Sequence, residues 1–248
     1  MLSSKEIAKK WETIARGKAS LSVKKTLPLG FLAGMFIAFG ALGSTTAMAN
    51  IAGGAGKLAG ACVFPAGLIM VVLAGAELFT GNCLMAGPAL NKKVKWVDVG
   101  CNWLLVYLSN MLGAAFMALL VYFSGFASGT LGVTARDIAA NKCALPFFQA
   151  FFRGIGCNIL VCGAVWMASG AETAGGKAVC CFFPVMLFVL CGFEHSVANM
   201  YYIPLGILID PNRVSMPAYL FGNLLPVTLG NIVGGAGLAM VYARIYKD

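Results

Sequence analysis

Charged residues are scarce in this chain of 248 residues: they make up 11% of it, and only nine residues are Asp or Glu. Soluble domains carry roughly a quarter charged residues, so this scarcity excludes an ordinary soluble fold. The chain has one histidine, and none of its nine cysteines forms a Cys-x-x-Cys pair. We therefore expect no metal site and, in the absence of a glycine-rich phosphate loop, no nucleotide cofactor. Eight of the cysteines fall in or at the edge of long apolar runs, so we expect buried reduced thiols and no disulfide framework.

Long apolar runs make up most of what is present. Hydrophobic residues account for 60% of the chain, and six runs have the length of about 20 residues that a helix needs to cross a bilayer core. The runs lie near residues 26–50, 62–90, 98–124, 147–169, 179–209 and 216–243. Because barrel strands are short and alternate in polarity, these continuous runs predict an all-α polytopic membrane protein with six transmembrane helices.

Basic residues predict the orientation of the spans. With the N-terminus inside, thirteen Lys and Arg residues fall on the inner side and four on the outer side, while Arg153 lies within the fourth run. The positive-inside rule then places both termini in the cytoplasm of a multi-pass plasma-membrane protein. The net charge of +9 is explained without nucleic acid as a partner. No apolar signal core precedes the first run, so we expect no cleaved leader.

Residues 1–25 precede the first run and are predicted to be separate from a six-span domain at residues 26–248. Ser3 and Glu6 have the spacing of a capping box, which predicts a helix over residues 3–15. Its large apolar residues share one face: Ile7, Trp11 and Ile14. This pattern predicts an amphipathic cytoplasmic helix that lies on the membrane surface, with a solubilising basic leader as the alternative.

The second and fifth runs are longer than one straight helix needs, and each carries polar residues near its end. The stretches FPAGLIMVVLAGAELFTGN (64–82) and FPVMLFVLCGFEHSVAN (183–199) share a Phe-Pro start and a Glu followed five positions later by Asn. This alignment pairs Glu77 with Glu194. Because the two runs cross the membrane in opposite senses, they predict an inverted 3+3 repeat with helices 2 and 5 broken. Chance similarity between short apolar stretches is the alternative.

Glu77, Glu194 and His195 fall in these predicted breaks, where a charged side chain costs at least about 2.5 kcal/mol. They must therefore be paired, neutral or exposed to water. Glu77 can be a structural clasp that accepts backbone N–H groups freed by the break. His195 can be an ordinary core histidine, but an imidazole titrates near neutral pH and lies here beside Glu194 and Asn199, so we expect it to act on a passing anion.

The stretches AELFTGN (76–82) and GFEHSVANMYYIPLGILI (192–209), with GCNILVCGAVWMA (156–168) between them, resemble the formate/nitrite transporter family. The resemblance covers essentially the whole chain. It implies an aquaporin-like fold in the lipid bilayer, with two broken helices, and a homopentamer in which each protomer has its own pore. Neither break has the Asn-Pro-Ala box of aquaporins themselves, which argues against a pore for neutral solutes.

The resemblance also implies roles for individual residues. The central pore corresponds to His195, with Thr80 and Asn158 as polar positions close to it. The polar network that attracts anions corresponds to Lys142, Glu194 and Asn199, with Lys142 in an outer loop. Two apolar constrictions that flank the histidine correspond to Phe64, Leu68, Leu78 and Phe188. Residues 26–248 would then be a channel domain.

These roles predict a channel or proton-coupled transporter for small monovalent anions of weak acids, and no enzyme activity. A bare anion has a large desolvation cost in an apolar constriction, and its protonated form has a much smaller one. His195 either donates a proton, directly or by relay, or only orients the anion. The ELFTGN version of the motif is similar to that of the hydrosulfide channels of anaerobic clostridia.

Hydrosulfide is therefore the expected cargo, with formate and nitrite also passing. The alternatives are a dedicated formate or nitrite transporter, an aquaporin-like pore, and a membrane enzyme that uses His195 and Glu194.

Overall fold

The fold was obtained as a computed structural model, in which residues 1–247 are described, and no β-strand occurs among them. The α-helices in chain order are α1 (Ser4–Ala19), α2 (Val23–Asn50), α3 (Gly53–Val63), α4 (Ala66–Ala74), α5 (Phe79–Asn82), α6 (Ala86–Leu90), α7 (Trp96–Phe123), α8 (Gly129–Cys143), α9 (Phe147–Gly170), α10 (Ala174–Leu190), α11 (Ser196–Ile209) and α12 (Leu225–Ile245). A 3-10 turn, Cys83–Met85, joins α5 to α6, and a π-helix, Ala218–Leu224, leads into α12.

The six predicted spans correspond to helices of this fold. Five helical segments are long and apolar enough to cross a membrane: Val23–Asn50, Gly53–Ala74, Trp96–Phe123, Phe147–Gly170 and Ala218–Ile245. The shorter apolar helices α10 and α11 make up the remaining crossing. The prediction of an all-α membrane protein is confirmed. The second span begins at Gly53 and not near residue 62. The hydropathy of the sequence did not indicate this start, because the glycine-rich segment contains Lys57 and is only weakly apolar.

Two of the crossings are interrupted. The helix stops after α4 and resumes at α5, and it stops again between α10 and α11. Gly75 (φ 80°) and Gly192 (φ 72°) end α4 and α10 in the left-handed region, which glycine adopts without the steric penalty of a Cβ atom. The segments that follow these glycines carry Glu77 and Glu194, so each carboxylate lies where the backbone leaves the helix.

Small residues allow the spans to approach closely. The most extensive helix pairs are α9 with α12 and α2 with α7. A Cβ atom on Gly34 would overlap the carbonyl oxygen of Asn110, and a Cβ atom on Gly234 would overlap that of Ile155. Glycine at these two positions therefore lets backbone pack directly on backbone.

The N-terminal helix has the predicted cap but a different environment. The Ser3 N–H donates to the Glu6 carboxylate at 2.8 Å, and Ser3 Oγ accepts the Glu6 N–H at 3.4 Å. Ile7 and Trp11 are each 2% exposed, because this face packs on the bundle, where Trp11 Nε1 donates to Ser169 Oγ at 3.0 Å. The prediction that this face lies on lipid was therefore wrong.

Both termini lie at the same end of the bundle. The Leu2 N–H donates to the Gly170 carbonyl at 2.9 Å, and Asn91 Nδ2 donates to the Ala243 carbonyl at 3.2 Å. We call this the terminal end. The 28 residues of α7 extend about 42 Å at about 1.5 Å per residue, so α8 lies at the opposite end, which we call the far end.

Candidate functional site

His195 is the N-cap residue of α11, and its two ring nitrogens have different partners. Nδ1 accepts the backbone N–H of Ala198 at 3.1 Å. A nitrogen that accepts a hydrogen bond carries no proton, so the neutral ring carries its proton on Nε2. Nε2 lies 2.9 Å from Thr80 Oγ1. The imidazole therefore donates to the Thr80 hydroxyl, which keeps its own proton to donate elsewhere.

Asn158 lies behind Thr80 and holds its backbone. The Asn158 amide Nδ2 donates to the carbonyl oxygens of Thr80 at 3.2 Å and Asn231 at 2.6 Å. The Cys162 thiol also reaches the Thr80 carbonyl, at 3.2 Å. His195, Thr80 and Asn158 are 2%, 0% and 0% exposed. The structure therefore brings the three predicted central residues together, with Asn158 bonded to backbone oxygens.

Apolar side chains enclose a cavity of about 10 Å³ beside His195. Its lining consists of Ile37, Phe64, Leu68, Leu78, Val161, Val185, Phe188 and His195. All four residues predicted for the constrictions are among them, whereas Ile37, Val161 and Val185 have no sequence signal that separates them from core residues. One water molecule requires a volume of about 10–15 Å³, so the protein is almost closed at this depth.

Two aromatic side chains form one wall of this small cavity. The Phe188 ring stacks on the His195 ring, with a centroid separation of 5.9 Å and an interplanar angle of 22°. Phe64 meets Phe188 edge to face, with centroids 5.6 Å apart. Movement of Phe188 would therefore change the packing of both the imidazole and Phe64.

A larger cavity of about 310 Å³ lies at the terminal end. Leu68 and Leu78 line both cavities, so these two side chains separate them. The charged residues of the larger cavity are Lys10, Lys18, Lys177 and Glu77. Since α1 provides two of these lysines, the N-terminal helix is part of the cavity wall. We call this cavity the vestibule. Its three ammonium groups and one carboxylate give it a net positive charge.

Lys142, Glu194 and Asn199 form one network at the far end, as predicted. Lys142 Nζ lies 3.0 and 3.1 Å from the two Glu194 carboxylate oxygens, and Asn199 Nδ2 donates to Glu194 at 2.7 Å. The side chains of Lys142 and Glu194 are 16% and 5% exposed. The placement of Lys142 in a loop was wrong. It lies in the last turn of α8, a helix too polar to give a span-like hydropathy signal.

A matching network lies at the terminal end. Lys18 Nζ is 2.6 Å from Glu77 Oε1, and Asn82 Nδ2 donates to Glu77 Oε2 at 2.7 Å. Glu77 therefore binds these two side chains, which corrects the expectation that it accepts freed backbone N–H groups. The sequence does not distinguish Lys18 from the other basic residues ahead of the first span, of which there are seven in all.

Two further asparagines complete the two networks. Asn82 donates to Asn102 Oδ1 at 2.8 Å, and Asn102 donates to the Lys18 carbonyl at 3.2 Å. At the far end, Asn199 donates to Asn223 Oδ1 at 2.7 Å, and Asn223 donates to the carbonyl of Lys142 at 2.9 Å. In these bonds Asn102 of the first half of the chain matches Asn223 of the second half, and Lys18 matches Lys142.

Six crossings, two of them interrupted, together with a buried imidazole between two lysine–carboxylate networks, define a multi-pass membrane protein of the transporter class. The sequence model described as "Formate/nitrite transporter" matches residues 5–245. The chain belongs to the formate/nitrite transporter family.

Similar proteins carry names that agree with this family. A probable formate transporter of Methanothermobacter thermautotrophicus is 40% identical over 94% of this chain and 93% of its own. The formate channel FocA of Haemophilus influenzae is 38% identical over 94% and 90% of the two chains.

Two solved structures have a similar fold. One is described as an FNT family ion channel and matches with a TM-score of 0.91 at 27% identity, covering 97% of this chain and 98% of the other. A pentameric formate channel with formate bound matches with a TM-score of 0.80 at 33% identity, covering 91% and 98%.

Proposed function

We propose that this protein conducts small monovalent anions of weak acids through a pore within each protomer and catalyses no reaction. The observation that carries the proposal is the contact of 2.9 Å between His195 Nε2 and Thr80 Oγ1, buried among apolar side chains with a lysine–carboxylate network towards each end. In this arrangement the apolar residues exclude charge and the buried donors compensate for part of that exclusion.

Lysines at both ends attract the anion. Lys18 and Lys142 are held by Glu77 and Glu194, so their ammonium groups keep fixed positions along the proposed pathway. At the terminal end, Lys10 and Lys177 add positive charge to the vestibule. A positive balance in a cleft with low-dielectric walls raises the local anion concentration.

The tautomer of His195 favours stabilisation of the anion by hydrogen bonding over proton donation. If the neutral ring gave up its Nε2 proton it would become an imidazolate, which does not form near neutral pH. Protonation of Nδ1 would first break the bond that this atom accepts from Ala198. In the proposed mechanism, His195 therefore orients the Thr80 hydroxyl, the hydroxyl donates to the anion, and any proton that travels with the anion comes from solvent at the mouths.

The size of the central cavity favours hydrosulfide as the cargo that needs the least rearrangement. The cavity of about 10 Å³ is of the order of one water molecule. Hydrosulfide has one heavy atom, whereas formate and nitrite are bent anions with three. Formate is the cargo in the names of the similar proteins, so we propose that formate and nitrite also pass when Leu68, Leu78 and Phe188 move.

The proposed assembly is a homopentamer, because a structure with 33% identity to this chain is a pentameric formate channel. One protomer provides His195, Thr80 and both lysine networks, so each protomer would hold a complete pathway. We place the terminal end in the cytoplasm, because it carries most of the basic residues, and the protein in the plasma membrane. Residues 1–25 would then be a cytoplasmic segment that contributes Lys18 to the channel domain of residues 26–248.

The test is anion uptake into proteoliposomes that contain the wild-type protein, with inner and outer pH set independently. Hydrosulfide, formate and nitrite are compared with glycerol, and protein-free liposomes are the control for the leak of neutral acids. We expect protein-dependent uptake of all three anions, fastest for hydrosulfide, without glycerol uptake. Glycerol uptake without anion uptake would replace the proposal by a neutral-solute pore.

A further inference from the structure

Asn231 of α12 holds the chain on both sides of His195. Its Oδ1 accepts the Ser196 N–H at 2.9 Å, and its Nδ2 donates to the Glu194 carbonyl at 2.9 Å and the Gly154 carbonyl at 2.8 Å. The Glu194 carbonyl and the Ser196 N–H belong to the two peptide planes that flank His195. Because peptide planes are rigid, holding both of them restricts the φ and ψ of His195 and thereby the direction of its Cα–Cβ bond.

Asn110 of α7 makes the same three kinds of bond at the other break. Its Oδ1 accepts the Phe79 N–H at 2.9 Å, and its Nδ2 donates to the carbonyls of Glu77 at 2.9 Å and Gly30 at 2.7 Å. The residue between these two peptide planes is Leu78, which separates the central cavity from the vestibule.

Both asparagines are 0% exposed, and each bonds through its acceptor and through its amino group. The third bond of each asparagine joins it to a further span: Asn231 bonds to Gly154 in α9, and Asn110 bonds to Gly30 in α2. Each asparagine also follows a network asparagine by eight positions, Asn102 before Asn110 and Asn223 before Asn231. Asn102 and Asn110 both lie in α7, where residues seven or eight positions apart share one face, whereas Asn223 lies in the π-helix that leads into α12.

We propose that Asn231 and Asn110 are positioning residues with different effects: Asn231 sets the geometry of His195 against Thr80, and Asn110 sets Leu78 in the apolar barrier. The effect on transport rests on the function proposed above, whereas the effect on the imidazole does not. The same set of three asparagine hydrogen bonds holds the polar residue His195 in one half of the chain and the apolar residue Leu78 in the other. A merely structural role would make the two substitutions equivalent.

The histidine count allows a direct test, because His195 is the only histidine of the chain. The full-length protein is labelled with ¹⁵N-histidine, purified without a histidine tag and studied by solid-state NMR in lipid. Wild type is compared with Asn231→Ala and with Asn110→Ala, which removes the three equivalent bonds at the other break. We expect Asn231→Ala to shift the imidazole ¹⁵N resonances and Asn110→Ala to leave them at the wild-type positions.

Transport by the same samples separates the two proposals. Displacing a positioned group by about 1 Å can lower a rate on the order of 100-fold, so we expect Asn231→Ala to reduce formate uptake at least roughly tenfold. Asn110→Ala should instead admit glycerol, because Leu78 is no longer held. If wild type takes up no anion while Asn231→Ala still shifts the imidazole, the positioning role stands and the proposed function fails.

Equal imidazole spectra in both variants, whether both shifted or both unchanged, would overturn the positioning proposal. If either alanine variant does not fold, Asn231→Ser and Asn110→Ser replace the pair, since a hydroxyl leaves a polar group that can donate and accept at each position. The serine pair is judged by the same criterion, a shift of the imidazole resonances that is specific to position 231.

Discussion

In the proposed mechanism, the Thr80 hydroxyl carries the effect of the buried imidazole to the anion. Nε2 of His195 donates to this hydroxyl, and we propose that the hydroxyl proton is then the donor that an anion meets. Thr80→Val keeps the shape and removes the donor, whereas Thr80→Ser keeps the donor. A hydrogen bond to a charged group contributes about 1.5–3 kcal/mol, so we expect formate uptake to fall roughly 10- to 150-fold in Thr80→Val.

Thr80→Ser is the matched control and should retain most of the uptake, provided both variants have the thermal midpoint of wild type. Equal uptake by Thr80→Val and wild type would remove the hydroxyl from the mechanism.

Lys142 pairs with Glu194 from the last turn of α8 and not from a loop. Its removal leaves the Glu194 carboxylate, whose side chain is 5% exposed, without its cation. Breaking a buried pair on one side costs about 3–5 kcal/mol, so Lys142→Gln should lower the thermal midpoint and slow anion uptake. Lys57→Gln is the control, because Lys57 is an exposed lysine of α3 near the same end.

The thermal midpoint of both lysine variants is measured in a thermal scan, and their anion uptake is measured at several salt concentrations. The same midpoint and the same uptake in both lysine variants would show that Lys142 is an ordinary surface charge.

At the scale of elements, hydropathy was sufficient for the six spans but not for their surroundings. The glycine-rich start of α3 lacks the signal because it contains Lys57. The polar helix α8 lacks it because α8 packs against α11 and needs no long apolar run. The amphipathic pattern of α1 indicated the helix but not which surface its apolar face covers. The constriction residues Phe64 and Phe188 followed only from the family resemblance, since their periodicity equals that of core residues.

The two interrupted helices depend on glycine at one position each. Gly75 and Gly192 have positive φ, where a Cβ atom costs about 1–2 kcal/mol. Gly75→Ala and Gly192→Ala should each destabilise the protein by about that amount. Gly100→Ala, in α7 with open space around its Cα, should be neutral or stabilising by up to about 1 kcal/mol.

Denaturation midpoints in detergent check this order of stabilities. A Gly192→Ala midpoint equal to that of Gly100→Ala would mean that the break does not require the left-handed residue.

At the scale of the whole molecule, the two halves of the chain repeat one set of interactions at opposite ends. Lys18 with Glu77 and Lys142 with Glu194 are the ion pairs, and an asparagine five positions after each Glu donates to its carboxylate. These correspondences support the proposed inverted repeat. The short alignment of the second and fifth runs contains the two Glu–Asn pairs, but the two lysines lie too far from these stretches in the sequence to appear in it.

The correspondence between the two halves ends at the residue that is central to the proposed function. His195 directly follows Glu194, and Leu78 takes the same place after Glu77. One half therefore contributes a polar group and the other an apolar barrier to the same small cavity. This difference explains how a nearly symmetric frame can hold a single imidazole, and it makes His195 the central element of the proposed function.

The most direct test of that claim is formate and hydrosulfide uptake by His195→Phe and wild type in proteoliposomes, with both proteins matched in oligomeric state and thermal midpoint. Phe keeps an aromatic ring against Phe188 but gives Thr80 no donor and leaves Ala198 without its acceptor. The account predicts that anion uptake falls to the level of protein-free liposomes or close to it. Uptake of both anions at the wild-type rate would contradict it.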